Sequence, residues 1–235
     1  RDDVESRGLG DVYKRQVHIN IPLVGDTNAL WNESVKKLRN GQAHKINYVS
    51  VDDTEMWQQM AKILSSKKRV IIVMGQDCSG DENLHQALMQ YCSYTQVPIL
   101  LDNLSNFRCS QMVWAEPVIK ALNANSIEGM LPEVVITFGN NFQERIKDLL
   151  KAHQGKFEHW SIDQEGVVRD VFKSQTALFE CKPAYFFNYF TKNVIPTDGT
   201  YCHRWQELAD AIKLPEMPFT NFYTIKEFSR VIPCL

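Results

Sequence analysis

The stretch RVIIVMGQDCSGD, Arg69–Asp81, decides the fold because a continuous apolar run there meets a glycine-bearing polar loop. The run Arg69–Met74 is rich in β-branched residues and does not alternate with polar ones, which is typical of a strand buried on both faces. After the loop Gly75–Gly80, apolar residues recur at helical spacing. A buried strand, a turn and a helix in this order form the repeating unit of a parallel α/β sheet.

The same unit recurs along the chain. Upstream, Asp52 and Glu55 form a capping-box pattern that predicts a helix start. Further strands are predicted at Val97–Leu101, Val134–Phe138, Phe157–Ile162 and Thr176–Phe179, and further helices at Asp81–Thr95, Glu116–Asn123, Phe142–His153, Ala184–Thr191 and Tyr201–Ile212. This alternation predicts an α/β fold of the dinucleotide-binding type, with an open parallel sheet, right-handed crossovers and helices on both faces.

The N-terminal part of the chain does not follow this pattern. Arg1–Gln16 has no usable apolar period, and its phrase DVYKRQ resembles a translated sequencing-library adapter, so we expect residues 1–16 to be non-native. Val17–Leu23 alternates apolar and polar positions and predicts a strand that leaves a preceding sheet. Residues 24–48 are expected to be a linker with one short helix at Trp31–Leu38.

The central α/β domain is expected to cover residues 49–214. Pro215 and Pro218 then mark a further linker. Thr224–Val231 predicts the start of another helix, so residues 215–235 are expected to be a linker and the beginning of a following domain. We therefore expect the chain to be an interior piece of a larger protein.

Composition limits the classes of partner. The chain carries 26 basic and 28 acidic residues, and this balance argues against nucleic acid or an anionic membrane as the main partner. No apolar run approaches the roughly 20 residues of a membrane span, and we expect a cytoplasmic protein. Six cysteines show neither C-x-x-C pairs nor zinc spacing, which predicts reduced thiols and no metal site: Cys78, Cys92, Cys109, Cys181, Cys202 and Cys234.

Ligands of open parallel sheets bind beyond the carboxyl ends of the strands, so the loops at those ends are the candidate site. The loop DNLSNFR, Asp102–Arg108, offers Ser105, Asn106 and Arg108. These side chains suit an anionic ligand or a neighbouring domain. An Asx or serine turn with an exposed arginine is an equal alternative.

The loop FGNNFQER, Phe138–Arg145, leads into the next predicted helix. Arg145 lies in the first turn of that helix, where a planar guanidinium suits a carboxylate ligand. The alternative is a solvated arginine on a charged helix surface, and the neighbouring Glu144, Lys147 and Asp148 favour it.

The remaining loops carry weaker signals. The loop GQDCSGD lacks the G-x-G-x-x-G spacing and a Walker lysine, so it is better explained as a strand-to-helix turn than as a phosphate site. Asp163 ends a strand where a ribose hydroxyl is often bound. His159 alternates with apolar neighbours and is expected to be a strand histidine rather than a ligand, and Trp160 is expected in the core rather than in a stacking platform. No hydrolase, zincin or kinase motif occurs.

Several phrases in order resemble one family of enzymes. VHINIPL resembles the phrase that closes the first, pyrimidine-binding domain of thiamine-diphosphate enzymes, which implies that residues 17–48 are the end of that domain and a linker. RVIIVMGQ, VPILLDNLSNFR and VVITFGNNFQERIKDLL resemble the central domain of these enzymes. The phrases LSNFR, EHWSID and FYTIKEFSRVIP are most similar to the menaquinone-pathway synthases that make 2-succinyl-5-enolpyruvyl-6-hydroxy-3-cyclohexene-1-carboxylate.

The resemblance implies a reaction and its partners. Such a carboligase decarboxylates 2-oxoglutarate and adds the succinyl carbanion to isochorismate, using thiamine diphosphate and Mg²⁺ or Mn²⁺, as a homodimer or tetramer. The resemblance places the cofactor glutamate upstream of Val17 and the metal motif downstream of Leu235, so no catalytic, cofactor or metal residue is expected in this chain. A Lys-Arg pair of the family faces substrate carboxylates; it reads Glu144-Arg145 here, which implies that role for Arg145.

Two other functions remain open at this point. The chain is alternatively the central domain of another thiamine-diphosphate enzyme, similar to acetolactate synthases, in which the domain holds FAD. The third hypothesis is a non-catalytic nucleotide-binding module, which measurable binding of AMP or NAD would support.

Overall fold

The architecture was determined from a computed structural model, which describes residues 45–76, 80–101, 103–122, 124–213 and 224. Its strands are β1 Asn47–Ser50, β2 Val70–Met74, β3 Ile99–Leu101, β4 Met112–Trp114, β5 Val134–Phe138, β6 Glu158–Ile162 and β7 Gln175–Glu180. Its α-helices are α1 Thr54–Ser65, α2 Glu82–Thr95, α3 Ala115–Ala121, α4 Ala124–Met130, α5 Glu144–Ala152, α6 Pro183–Asn193 and α7 Thr200–Asp210. A single 3₁₀ turn among the described residues, Asn103–Ser105, follows β3.

The seven strands form one sheet in the order β1-β7-β6-β5-β2-β3-β4. Every neighbouring pair of strands is parallel. This confirms the predicted fold class. After β4 the chain returns across the sheet and adds β5 on the other side of β2, so the strand order reverses between β2 and β5. In open parallel sheets this reversal marks the usual ligand crevice.

The core consists of one apolar cluster on each face of the sheet. Strand β2 shows this division because Val70, Ile72 and Met74 contribute to one cluster and Ile71 and Val73 to the other. All five β2 side chains are buried, as the unbroken apolar run predicts. Burial on both faces therefore fixes β2 in the centre of the domain.

Aromatic side chains fill the cluster beneath α1 and α6. The Trp57 ring lies 5.2 Å from the Phe179 ring and 5.6 Å from the Phe190 ring, measured between centroids. Trp160 and Phe186 are fully buried in the same cluster. These contacts confirm that Trp160 belongs to the core. Phe186, Phe187 and Phe190 of α6 belong to it as well, although Tyr185 on the same helix is 42% exposed.

Three local predictions differ from the structure. The N-cap of α1 is Asp53 rather than Asp52, because Asp53 Oδ1 accepts the Met56 N–H at 3.0 Å. Strand β1 begins inside the segment that was expected to be a linker, and it pairs with β7. Strand β4 and helix α4 were not predicted. Both are short, and β4 takes its place at the sheet edge from its pairing with β3.

Some predictions concern residues outside the described ones, namely the strand Val17–Leu23, the helix Trp31–Leu38 and all of Thr224–Val231 except Thr224. Among the helices that the structure describes, none is long and apolar enough to cross a membrane.

Candidate functional site

The crevice between β2 and β5 is spanned by main-chain hydrogen bonds. Gln76 donates its N–H to the Asn140 carbonyl at 3.0 Å, and Asn140 donates back to the Gln76 carbonyl at 3.1 Å. The approach is so close that a Cβ on Gly75 would lie 1.7 Å from the Asn140 oxygen. Gly75 is therefore required by the contact between the two loops.

A phosphate could otherwise bind at the N-terminus of α2, but a side chain of the protein caps this helix start. Asp81 Oδ1 accepts the N–H groups of Asn83 and Leu84 at 3.0 and 3.4 Å. A carboxylate at this position satisfies the donors that an anion would use and repels a second negative charge. Residues 77–79 of the GQDCSGD loop lie outside the described residues.

Arg145 projects from the first turn of α5 at the carboxyl edge of the sheet. Its Nε lies 3.2 Å from Glu116 Oε1, and Gln143 Nε2 donates to the other Glu116 oxygen at 3.1 Å. The side chains of Arg145 and Glu116 are 47% and 53% exposed. The guanidinium is thus oriented by a carboxylate on α3 while still open to solvent.

The segment from Ser105 to Arg108 alternates between buried and exposed side chains. Ser105 is fully buried and donates its hydroxyl to the Met74 carbonyl at 3.1 Å. Phe107 is also buried, and its ring lies 5.4 Å from the His85 ring. Asn106 and Arg108 are exposed between and after these anchors. The Asn106 φ of 49° is a left-handed conformation that asparagine tolerates better than most residues.

Arg108 is placed by an aromatic ring. Its guanidinium carbon lies 4.6 Å from the centroid of the Trp114 ring at the end of β4, and Nη1 donates to the Phe107 carbonyl at 2.9 Å. A cation stacked on an aromatic face is held in position without being neutralised. Because Glu116 follows Trp114 by two residues, Arg108 and Arg145 both belong to the rim formed by the ends of β3, β4 and β5.

Asp163 and His159 make hydrogen bonds within the domain rather than facing a ligand site. Asp163 Oδ1 accepts the N–H groups of Glu165 and Val167 at 2.8 and 3.3 Å, so it caps its own turn. His159 is buried, and its Nε2 lies 2.8 Å from Thr137 Oγ1. This confirms the interpretation of His159 as a strand histidine that bonds within the core.

Burial sets the charge state of His159. Desolvation lowers the pKa of His159, and Asp170, whose Oδ1 lies 3.9 Å from His159 Nδ1, only partly opposes the effect. The pKa of Asp170 is also lowered, because burial raises it but the interaction with His159 and the hydrogen bonds from the N–H groups of Ser174 and Gln175 outweigh that effect. The histidine is therefore neutral and the aspartate ionised at neutral pH.

Arg145 and Arg108 thus lie on one rim of the sheet, and Asn106 is exposed beside Arg108. Ser105 is buried and donates its hydroxyl to the Met74 carbonyl inside the domain. Sequence reasoning missed Glu116 as the partner of Arg145, Gln143 as a second donor to Glu116, and Trp114 as the aromatic ring beneath Arg108. Glu116 lies 29 positions from Arg145 in the chain. No local sequence pattern predicts this ion pair, because the two residues meet only after the chain has crossed back over the sheet. Among the described residues no cluster of three His, Cys, Asp or Glu side chains could hold a metal ion.

Comparison with curated proteins confirms the resemblance seen in the sequence. The chain is 25% identical over 231 residues to the 2-succinyl-5-enolpyruvyl-6-hydroxy-3-cyclohexene-1-carboxylate synthase of Bacteroides fragilis, covering 94% of this chain and 39% of the relative. It is 24% identical over 235 residues to the synthase of the same name from Porphyromonas gingivalis, with 92% and 39% covered. The chain therefore spans about two fifths of the length of these relatives. No protein-family model matches the chain.

Among solved structures, a protein described as a thiamin diphosphate-dependent enzyme from Mycobacterium smegmatis is similar to this chain. It is 13% identical, with a TM-score of 0.33, and the match covers 62% of this chain and 28% of that one.

Proposed function

We propose that this chain is the central α/β domain, with flanking segments, of a thiamine-diphosphate-dependent carboligase of menaquinone biosynthesis. The complete enzyme would decarboxylate 2-oxoglutarate and add the remaining succinyl unit to isochorismate. The observation that carries this proposal is the similarity to named synthases along 92–94% of the chain. The parallel sheet with a polar rim is compatible with it, because such rims bind ligands.

The described residues do not fit a cofactor or metal site of their own. The crevice between β2 and β5 is spanned by the Gln76–Asn140 contact, and the described part of the chain offers no metal-ligand cluster. From the family resemblance, we propose that thiamine diphosphate and Mg²⁺ or Mn²⁺ bind to segments of the full-length protein outside this chain and that the chain alone is inactive. Thiamine diphosphate would supply the carbon nucleophile for decarboxylation when bound there.

The proposed role of this chain is to present cations to a substrate carboxylate. Arg145 is the first candidate because its guanidinium is exposed and already oriented toward a carboxylate, that of Glu116. A bound substrate carboxylate could replace or share this contact with the planar, bidentate geometry that arginine favours.

Arg108 and Asn106 are proposed as further contacts from the neighbouring loop. Stacking on Trp114 leaves the charge of Arg108 available to a ligand. Ser105 is assigned an indirect part, since its hydroxyl holds the loop on the Met74 carbonyl and its side chain has no exposure.

The proposed domain limits differ from the sequence-based ones at one boundary, because β1 of the central sheet begins at Asn47. Residues 17–46 would end the pyrimidine-binding domain and form a linker, residues 47–214 would form the central domain, and residues 215–235 would lead into the diphosphate-binding domain. We further propose that residues 1–16 are non-native and that the complete enzyme is a cytoplasmic homodimer or tetramer.

The test is an omission experiment on the complete polypeptide that contains residues 17–235. The purified protein is incubated with 2-oxoglutarate, isochorismate, thiamine diphosphate and Mg²⁺, and the product is identified by its mass. The proposal expects product only when all four are present. Tight retention of FAD with turnover of pyruvate in place of 2-oxoglutarate would instead assign the chain to an acetolactate-synthase-like enzyme.

A further inference from the structure

Glu116 accepts hydrogen bonds from two side chains at the beginning of another helix. Arg145 Nε donates to one oxygen of the Glu116 carboxylate at 3.2 Å, and Gln143 Nε2 donates to the other oxygen at 3.1 Å. Gln143 is the N-cap residue of α5, and Arg145 lies in the first turn of that helix. Two separate contacts therefore define the orientation of the Glu116 carboxylate relative to α5.

The main chain that carries Glu116 is held by the sheet. Trp114, the last residue of β4, is paired with Leu101 of β3, and the next residue, Ala115, is fully buried. Helix α3, which begins at Ala115, packs against α5. A group that orients another group must itself be held in place. Glu116 meets this condition through its main chain and through Gln143.

The contact with Glu116 uses one edge of the Arg145 guanidinium and leaves the other edge open. The Nε group carries the contact, and neither Nη group has a hydrogen-bond partner among the residues that the structure describes. The Arg145 side chain is 47% exposed. Because a guanidinium has five N–H donors in one plane, a ligand carboxylate can accept from the Nη groups while Nε stays on Glu116.

We propose that Glu116, supported by Gln143, is a positioning residue that directs the Nη groups of Arg145 toward a ligand carboxylate. The inference rests on the proposed function in one respect, since there Arg145 is the contact for a substrate carboxylate. Ordering a long, flexible side chain on binding weakens the affinity for a ligand. Because Glu116 orders the arginine before the ligand arrives, it strengthens binding without touching the ligand.

The charge of Glu116 has the opposite effect on an anionic ligand. Two carboxylates near one arginine repel each other, and Glu116 also neutralises part of the Arg145 charge. If charge alone mattered, replacing Glu116 by alanine would strengthen the binding of a carboxylate. If Glu116 positions Arg145, the same replacement weakens that binding, so the sign of the change distinguishes the two roles.

The test is a titration of the 235-residue chain with succinate, a simple dicarboxylate, followed by the Nε–H signal of Arg145 in ¹⁵N NMR spectra. The signal is identified by its absence from the spectrum of Arg145→Lys. Glu116→Ala is expected to bind succinate at least about fivefold more weakly than the parent. Glu116→Gln keeps an oxygen that can accept from Nε, so its affinity is expected to stay within about twofold of the parent value. Tighter binding by Glu116→Ala, or a parent signal that succinate does not shift, would overturn the proposal.

Glu144→Ala is the matched control, because Glu144 is a carboxylate at the same helix start that pairs with Lys147 instead of Arg145. The substitution removes the same charge, and the affinity for succinate is expected to equal the parent value or to exceed it slightly. An equal loss of affinity in Glu144→Ala and Glu116→Ala would assign the effect to the start of α5 in general and would contradict positioning by Glu116.

A second measurement uses the complete polypeptide. Glu116→Ala is expected to raise KM for isochorismate at least about fivefold and to leave kcat within about twofold of the parent value, as for lost ground-state binding. A complete polypeptide without carboligase activity would refute the proposed function alone. Equal succinate affinities of the parent chain and Glu116→Ala, together with a working carboligase, would refute this inference alone.

Discussion

Gln76 and Asn140 exchange main-chain hydrogen bonds of 3.0 and 3.1 Å across the point where the strand order of the sheet reverses. In a nucleotide-binding domain of this type, the same place receives the phosphates of the ligand. Here the ends of β2 and β5 bind each other instead. The domain thus has the architecture of a dinucleotide fold, while its exposed cations lie further along the rim, at Arg108 and Arg145.

A first prediction concerns the residue that permits this contact. Gly75→Ala places a methyl group 1.7 Å from the Asn140 oxygen, so the two loops must separate. We expect the free energy of unfolding to fall by about 2 kcal/mol or more, as for overpacking in a core. Urea unfolding followed by circular dichroism measures the change.

Gly129→Ala is the matched control for that substitution. Gly129 lies in α4 with nothing within 4 Å of an added Cβ, so the change is expected to be neutral or stabilising by up to about 1 kcal/mol. A Gly75→Ala protein as stable as the parent would show that the loops do not approach as described.

A second prediction separates the carboligase proposal from a nucleotide-binding module. We expect the 235-residue chain to bind AMP, NAD and FAD no more tightly than about 1 mM, a standard free energy of only about −4 kcal/mol. The reason is that the Gln76–Asn140 contact spans the crevice and Asp81 caps α2. Titration calorimetry measures the binding. A dissociation constant in the low micromolar range for any of the three would favour the module.

The sequence is sufficient to predict the buried centre of the sheet, because β2 is apolar over its whole length and β5 is apolar except at Thr137. It is less informative at the edges. Strand β1 reads Asn-Tyr-Val-Ser and has one buried residue, and β4 has three residues. Such short edge strands obtain their stability from a neighbour rather than from their own pattern. At α1, adjacent aspartates both suit an N-cap, and only the geometry distinguishes Asp53 from Asp52.

In the candidate site, too, residues at strand ends could be predicted from the sequence, whereas their contacts with distant residues could not. Arg145 and Arg108 could be singled out because strand ends are visible in the sequence. Their partners could not, because Glu116 and Trp114 are brought to them by the parallel pairing of β4 and the packing of α3 against α5. The buried orientation of Ser105 follows from the turn after β3, which DNLSNFR does not specify by itself.

A third prediction concerns Arg145 in the complete polypeptide. Arg145→Ala removes a charge-assisted hydrogen bond to a substrate carboxylate, so kcat/KM for isochorismate is expected to fall roughly 10- to 100-fold. The unfolding free energy is expected to change by less than about 1 kcal/mol, since the Glu116 pair is largely exposed. Steady-state kinetics and urea unfolding give the two numbers.

Lys147→Ala is the control for Arg145→Ala. Lys147 is also on α5, and it pairs with Glu144 instead of Glu116. We expect its kinetics to match those of the parent. An equal loss in both variants would assign the Arg145 effect to general charge on the helix, and an unchanged Arg145→Ala enzyme would remove Arg145 from the substrate site.

A fourth prediction concerns pH and His159. Because burial lowers the pKa of His159 in the folded chain, the unfolded chain takes up a proton below about pH 6.5 that the folded chain does not. This effect leaves stability constant above about pH 7 and reduces it as the pH falls, by up to about 1.4 kcal/mol per pH unit. His159→Gln is expected to flatten the decrease between pH 7.5 and 5.

Urea midpoints measured across that pH range test the His159 prediction, and His203→Gln is its control. His203 is 73% exposed on α7 beside Glu207, so its removal is expected to leave the slope almost unchanged. A parent protein with the same stability at pH 7.5 and 5 would show that His159 is not held neutral by burial.

The most direct test of the central claim is carbon dioxide release from carboxyl-labelled 2-oxoglutarate by the purified 235-residue chain and by the complete polypeptide, side by side. Thiamine diphosphate, Mg²⁺ and isochorismate are supplied to both. We predict labelled carbon dioxide from the complete polypeptide and none above the buffer blank from the chain alone. Thiamine-dependent release by the chain alone would contradict the account, because the catalytic groups would then lie within it.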